Sequence, residues 1–290
     1  MRPRPFEYYA PTSLSEALDL MTSTEGAKIL AGGQSLITLM KLRLTAPEVL
    51  IDINNVSELT HVREENGAIV LGALVRHDQL ATSMLVRQKC PLLADAASMI
   101  ADQQVRNRGT IGGSLAHADP GADLPTACTA LGATVVAASL KGLRSIKIAD
   151  FFTDPFTTSL RQDEIMKEVQ IPLPPANSAG AYLKLTKGHN DFAILAVAAQ
   201  LRFDSDDVCR AASVVLGGVA PTPCHAVNAE AFLTGRRLDD QVIQGGAQRA
   251  SDGLAPPSDF RVSTEYKVET AAVLTRRAIE TAVSRAHGSM

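Results

Sequence analysis

Two short segments carry the residue types that bind an anionic ligand. They are Ala31-Gly32-Gly33-Gln34-Ser35 and Thr110-Ile111-Gly112-Gly113-Ser114. Adjacent glycines let the backbone approach a ligand closely, and the N–H groups of a helix that starts just after them point at an anion. Taken alone, the first segment reads equally well as a glycine turn with no ligand. It lacks the G-x-G-x-x-G spacing of a Rossmann fingerprint, and no P-loop lysine follows it. The second segment adds two hydroxyls, and Asp119 and Asp123 downstream can accept from ribose or ring hydroxyls. Together the segments favour a dinucleotide, whose two phosphates must both be cradled.

Other chemistries find less support. Cys90, Cys128, Cys209 and Cys224 contain no C-x-x-C pair, which points to reduced, mostly buried thiols rather than an iron-sulfur cluster or a structural zinc site. His61, His77, His189, His225 and His287 have no metal-ligand spacing. His117, close to Asp119, reads either as a group tuning a bound cofactor or passing protons, or as a hydrogen-bonded structural histidine. Asp206-Asp207 and Glu64-Glu65 read as solvated turns, and no Ser-His-Asp order or nucleophile elbow supports hydrolysis. With 28 basic and 31 acidic side chains, no cluster of Lys and Arg tracks a phosphate backbone, so nucleic acid is not expected as a partner. No apolar run follows Arg2 and Arg4, and no stretch approaches the roughly 20 apolar residues that span a bilayer, so a cytoplasmic protein is expected.

The elements that must position these segments follow from the apolar pattern. The 290 residues, 46% of them hydrophobic, suffice for two packed domains. Ser13 is a plausible cap for a helix over 14–21, and Lys28-Ile29-Leu30-Ala31 reads as a strand that enters the first glycine pair and leaves it as a helix from Ser35. Strands are expected at 48–53, 68–73 and 133–138, and two helices between His77 and Ala101, broken at Pro91. Residues 109–114 read as a glycine-punctuated loop and 119–125 as a polar turn. The proline-rich stretch 171–180 is the one clear shift of composition, excludes helix and central strand, and is taken as the domain boundary. Strands at 181–185, 195–203 and 212–219, then helices over 226–233 and from Glu265, predict a second α+β domain.

These residues carry a resemblance. Ala31 to Ser35 with Leu36 to Leu44, Arg106 to Ser114, Asp119 to Pro125, Asp191-Phe192-Ala193, Ser263 to Lys267 and Leu274 to Ala278 resemble, in this order, the FAD-binding medium subunit of molybdenum hydroxylases. That is the xanthine oxidase family, and the likeness is nearest to its carbon monoxide dehydrogenase branch.

The resemblance implies an α+β fold. Residues 1–176 would form a two-part FAD-binding domain of the vanillyl-alcohol-oxidase/PCMH type, with subdomains of about 1–55 and 56–176. Residues 177–290 would form a smaller C-terminal domain of the carbon monoxide dehydrogenase flavoprotein type, a sheet plus helices. It also implies FAD contacts from Ile29, Leu30, Ala31, Gly32, Gly33, Gln34, Ser35 and Leu36, from Ile100, from Thr110, Ile111, Gly112, Gly113 and Ser114, and from Asp119, Asp123, Met166, Lys184 and Phe192. Phe192 falls where such relatives place an aromatic ring near the flavin, a ring that could gate access or be an ordinary core phenylalanine.

No residue of the chain is expected to act as an acid, base or metal ligand. The implied partners are a small subunit with [2Fe-2S] clusters and a large subunit in which the molybdenum cofactor oxidises substrate, assembled as a dimer of heterotrimers. Electrons would reach an external acceptor through this chain. The pattern departs at Gln34, where carbon monoxide-type relatives carry His, so carbon monoxide, an aldehyde or an N-heterocycle all stay open as substrate. A free-standing FAD oxidase of the same fold superfamily and a non-catalytic assembly protein are the alternatives.

Overall fold

The computed structural model describes residues 2–188, 190–258 and 262–288; His189 lies outside them. The first layer is a parallel sheet of β1 (Glu7–Tyr9), β2 (Lys28–Leu30) and β3 (Val49–Asp52), in the order β1-β3-β2. Helices α1 (Leu14–Ser23) and α2 (Leu36–Lys41) make the connections that parallel strands require. Ser13 caps α1 by accepting from the Glu16 N–H, and Leu14, Ala17 and Leu18 turn one face of that helix into the core. The first glycine pair therefore lies at the carboxyl end of β2, where open sheets of this kind bind ligands.

An antiparallel sheet follows, made of β4 (Val62–Glu65), β5 (Ala68–Gly72), β6 (Thr134–Ser139), β7 (Gly142–Lys147) and, after the hairpin of β8 (Phe152–Asp154) and β9 (Thr157–Thr158), β10 (Ile165–Pro172). Its order is β4-β5-β10-β6-β7. The central strand, β10, has no counterpart among the expected strands. Its pattern is obscured by a bulge between Met166 and Glu168, and the buried Glu168 accepts from Gln170 Nε2 at 2.8 Å. Pro172 closes β10 opposite Ala68, past the last β6 partner of the strand at Gln170, so its missing N–H removes no ladder bond to β6. The proline-rich stretch is thus strand at both ends, and only 173–177 lies outside β10 and the following strand.

Between β5 and β6 run α3 (His77–Thr82), α4 (Met84–Lys89), α5 (Pro91–Ser98), α6 (Gln103–Arg106), α7 (Ile111–His117) and α8 (Asp123–Ala130). Residues 77–101 hold three helices rather than two, because Ser83 caps α4 through the Val86 N–H before Pro91 starts α5. The second glycine segment is a helix start and not a loop. Thr110 accepts from the Gly113 N–H as N-cap of α7, and Gly112 in the first turn must be glycine because a Cβ there would strike Ala73, 2.6 Å away.

The last sheet is antiparallel, β11 (Ser178–Leu185), β12 (Leu195–Phe203), β13 (Cys209–Gly217) and β14 (Cys224–His225), followed by α9 (Val227–Leu233), α10 (Asp240–Arg249) and α11 (Thr264–Ala286). Helix α10 was not expected from the sequence. Strand β12 is buried on both faces. Leu195, Val197, Ala199 and Leu201 pack with Ala271, Ala278 and Ile279 of α11, while Ala196 and Ala198 pack with Leu92 of α5 and Leu124 of α8. Its near-continuous apolar run follows from that sandwich. The C-terminal sheet thereby closes the core of the preceding part, and Arg285 of α11 bonds both Asp95 of α5 and the Gly180 carbonyl.

Candidate functional site

A cleft of about 1330 Å³ runs between the first sheet, the helices α6 to α8 and the end of β11, where Lys184 stands. It exceeds the roughly 300–1,000 Å³ of ordinary small-ligand pockets, as an extended dinucleotide requires. Both glycine segments open onto it. They are distant in sequence but adjacent in space: a Cβ on Gly32 would lie 2.2 Å from the Arg108 carbonyl oxygen, and one on Gly113 3.9 Å from Ala31 Cβ. Gly33 has φ +75°, a left-handed conformation that glycine adopts without strain.

Their amides differ. In the first segment, among the described residues, the N–H groups of Gln34, Ser35 and Leu36 find no backbone acceptor, since the bonds of this turn begin with Ile37 N–H to the Gly33 carbonyl. In the second, Ile111 donates to the Val75 carbonyl, Gly112 to Ala73, Gly113 to the Thr110 hydroxyl and Ser114 to the Thr110 carbonyl. Free donors for an anion thus lie in the first segment. The second supplies a surface without side chains, plus the Ser114 hydroxyl.

A polar network holds the two segments together. Arg76 donates through Nη2 to Asn54 Oδ1 at 2.6 Å and through Nη1 to the Arg108 carbonyl. Asn54 Nδ2 donates to the Ala31 carbonyl at 2.8 Å, and Asp52, just after Ile51 in β3, accepts from the Asn54 N–H and from the Tyr8 hydroxyl. Burial and the neighbouring Arg108 pull the Arg76 pKa down. Opposite, Arg144 donates twice to Glu164, at 2.8 and 2.6 Å, and the Arg161 N–H donates to the same carboxylate. This anchors the 161–166 stretch that forms one cleft wall, and Arg144 holds the Glu164 carboxyl below the usual carboxylate range.

Deeper in the cleft, Asp123 is 4% exposed and accepts from the Tyr182 hydroxyl at 2.8 Å and from Lys184 Nζ at 3.0 Å. Burial raises the Asp123 pKa, while Lys184 and Tyr182 oppose the rise. Phe192 is 52% exposed and faces the cleft, which removes its reading as a core phenylalanine. His117 is half-buried, tilts against Phe156 at 5.2 Å between ring centres, and has its pKa lowered by burial. The buried His77 also lines the cleft.

The cleft gathers Ile29, Ala31, Gly32, Gly33, Gln34, Ser35, Leu36, Ile100, Thr110, Gly112, Gly113, Ser114, Asp119, Asp123, Met166, Lys184 and Phe192. It does not gather Leu30 or Ile111. The Leu30 side chain lies under Gly33, 3.3 Å from where a Cβ would be, and Ile111 is fully buried in the core. Asn54, Arg76, Tyr182 and the 160–165 stretch have no motif around them and were not expected from the sequence. The open amides, the glycine surface and the paired buried charges fit the phosphates and polar rings of FAD.

Residues 4–174 match the family model described as the FAD binding domain in molybdopterin dehydrogenase. Residues 180–282 match the CO dehydrogenase flavoprotein C-terminal domain. The glyceraldehyde dehydrogenase medium chain of Sulfolobus acidocaldarius is 36% identical, over 97% of this chain and 99% of its own. Among solved structures, a carbon monoxide dehydrogenase from Hydrogenophaga pseudoflava that lacks the Mo-pyranopterin moiety aligns with TM-score 0.94 and 40% identity, over 98% of this chain and 99% of that one. Quinoline 2-oxidoreductase from Pseudomonas putida 86 aligns with TM-score 0.94 and 36% identity, over 99% of both chains. With this two-domain fold and this cleft, the chain belongs to the FAD-binding medium subunits of the molybdenum hydroxylase family.

Proposed function

We propose that this oxidoreductase subunit takes electrons from the [2Fe-2S] clusters of a small partner subunit and delivers them to an external acceptor, while a large molybdenum subunit oxidises the substrate. The observation that carries this reading is the meeting of both glycine segments at one cleft, with the free amides of Gln34, Ser35 and Leu36 beside them. Bound FAD supplies the ability to exchange electrons singly and in pairs.

The residues of the chain bind and orient. The amides at 34–36 receive the pyrophosphate, Gly32, Gly33 and Gly113 leave room for it, and Ile100, Asp119 and Met166 complete the walls. Lys184 and Asp123 place a compact charge pair beside the bound rings, and Phe192 stands at the opening. We further place the division between the two domains at 176/177, in the coil between β10 and β11, and the assembly in the cytoplasm as a dimer of heterotrimers.

The substrate is chosen outside this chain. Relatives with names as different as glyceraldehyde dehydrogenase, carbon monoxide dehydrogenase and quinoline 2-oxidoreductase are 36%, 40% and 36% identical to it. A visible spectrum of the complex purified with its partners tests the proposal. Flavin bands that bleach on adding the large subunit's substrate support it. A colourless chain, or a flavin reduced by a substrate without any partner, overturns it.

A further inference from the structure

Tyr182 and Lys184 stand two residues apart on β11, so their side chains leave the same face of the strand. Both reach one carboxylate. The Tyr182 hydroxyl donates to Asp123 Oδ1 at 2.8 Å and Lys184 Nζ to Asp123 Oδ2 at 3.0 Å. Lys184 Nζ also donates to the Met99 carbonyl at 3.1 Å, at the end of α5. Asp123 is the first residue of α8, so β11, α5 and α8 converge on this carboxylate.

Asp123 and Lys184 line the cleft, whereas Tyr182, only 1% exposed, lies behind them. An ammonium has three N–H donors, and Met99 and Asp123 use two of Lys184's. One remains for a group bound in the cleft. Its direction depends on where Oδ2 is held, and that depends on what holds Oδ1.

We propose that Tyr182 is a positioning residue for the FAD site: by occupying Asp123 Oδ1 it fixes the carboxylate, and through it the ammonium of Lys184 that meets the flavin. This rests on the cleft being the FAD site. Without the hydroxyl, Oδ1 loses its side-chain donor in a buried place and the carboxylate is freer to turn about its own bond, so the ammonium loses its fixed place. A tyrosine kept only for its bulk would be replaced by phenylalanine with no consequence for the flavin.

The test is a double-mutant cycle on the full chain in its complex, using Tyr182→Phe and Lys184→Met. FAD affinity, the visible spectrum of bound flavin and its midpoint potential are read alongside thermal unfolding of the flavin-free protein. Tyr182→Phe is expected to weaken FAD about tenfold, as for loss of one bond to a charged group, and to shift the flavin band and potential. In the Lys184→Met background it should add little. Should Lys184→Met fail to fold, Lys184→Arg takes its place in the cycle.

Unchanged spectrum, potential and affinity in Tyr182→Phe overturn the inference, as does full additivity with the Lys184 variant. A Tyr182→Phe protein that melts earlier but binds flavin with wild-type affinity, spectrum and potential has lost a hydrogen bond that serves stability alone, and that also overturns it. If the wild-type complex itself holds no FAD, it is the proposed function that has failed.

Discussion

Arg76 Nη2 lies 2.6 Å from Asn54 Oδ1 while its Nη1 bonds the Arg108 carbonyl, so one guanidinium joins Asn54 to the chain segment that leads into the second glycine pair. Asn54 passes the link to the Ala31 carbonyl, one residue before Gly32. A planar fork is needed for this, since the two acceptors belong to different elements and must be met at once. Arg76→Ala is therefore expected to weaken FAD by about tenfold to a hundredfold, on the order of 1.5–3 kcal/mol for hydrogen bonds made by a charged donor. Arg76→Lys should recover little of the loss. Equilibrium titration of the flavin-free protein with FAD checks both, and affinity within twofold of wild type in Arg76→Ala would remove the network from the binding argument.

The glycines make separable predictions. A side chain at Gly32 collides with backbone, 2.2 Å from the Arg108 oxygen, so Gly32→Ala must part the two segments and should lower both stability and FAD affinity. Gly33→Asp puts a side chain on a backbone already left-handed, a strain of roughly 1–2 kcal/mol, and a negative charge beside the free amides. Gly113→Asp puts a Cβ 2.8 Å from the Thr110 hydroxyl that caps α7. Both aspartate variants are expected to stay folded by circular dichroism and to lose FAD. Stoichiometric flavin in either would show that the anion is held elsewhere.

The fold and the site were legible to different extents. The strand, glycine turn and helix over 28–41 could be read because the apolar run, the glycines and the helical spacing are all local. The helix at the second glycine pair could not, because what makes it a helix start is the Thr110 cap together with the Val75 and Ala73 carbonyls, supplied by a distant segment. Strand β10 was hidden by its bulge and by Glu168, a charge made tolerable in the interior by Gln170 and by Arg63 at 3.5 Å. The cofactor class was readable from the glycine pairs and the family pattern around them. Arg76 and Tyr182 were not, since a single arginine or tyrosine has no local signature and acquires its role only when tertiary packing brings it to Asn54 or Asp123.

Acid should loosen the protein through His77. This ring is 6% exposed, sits against Gly109, has no partner at Nδ1 among the described residues, and has its pKa lowered to about 4 by burial and then by Arg76 and Arg106. The unfolded chain takes up the proton near the ordinary histidine value of about 6.5, so between that pH and about 4 the unfolded state binds more protons than the folded one. Stability is full above about 6.5 and is lost as pH falls through that window, by about 3 kcal/mol. Urea unfolding of the flavin-free protein from pH 7 to pH 4, for wild type and His77→Gln, measures it. The variant should show a flatter pH dependence over this range, and equal slopes would exclude His77 as the source.

Phe192 offers the converse case, a large apolar side chain whose removal should cost the fold little. It is 52% exposed, and its Cβ lies 3.5 Å from the place a Cβ on Gly121 would take, beside the turn that leads into Asp123. Half of the ring's surface already meets solvent, so Phe192→Ala forfeits far less than the roughly 3–5 kcal/mol typical of a core phenylalanine. The melting temperature should stay within a few degrees of wild type. If the ring controls the opening of the cleft, reduction of a small artificial acceptor by the substrate-reduced complex should change severalfold, with substrate oxidation at the large subunit measured by single turnover unchanged. A variant whose acceptor kinetics match wild type, at unchanged flavin content, would leave Phe192 as a surface residue without a gating role.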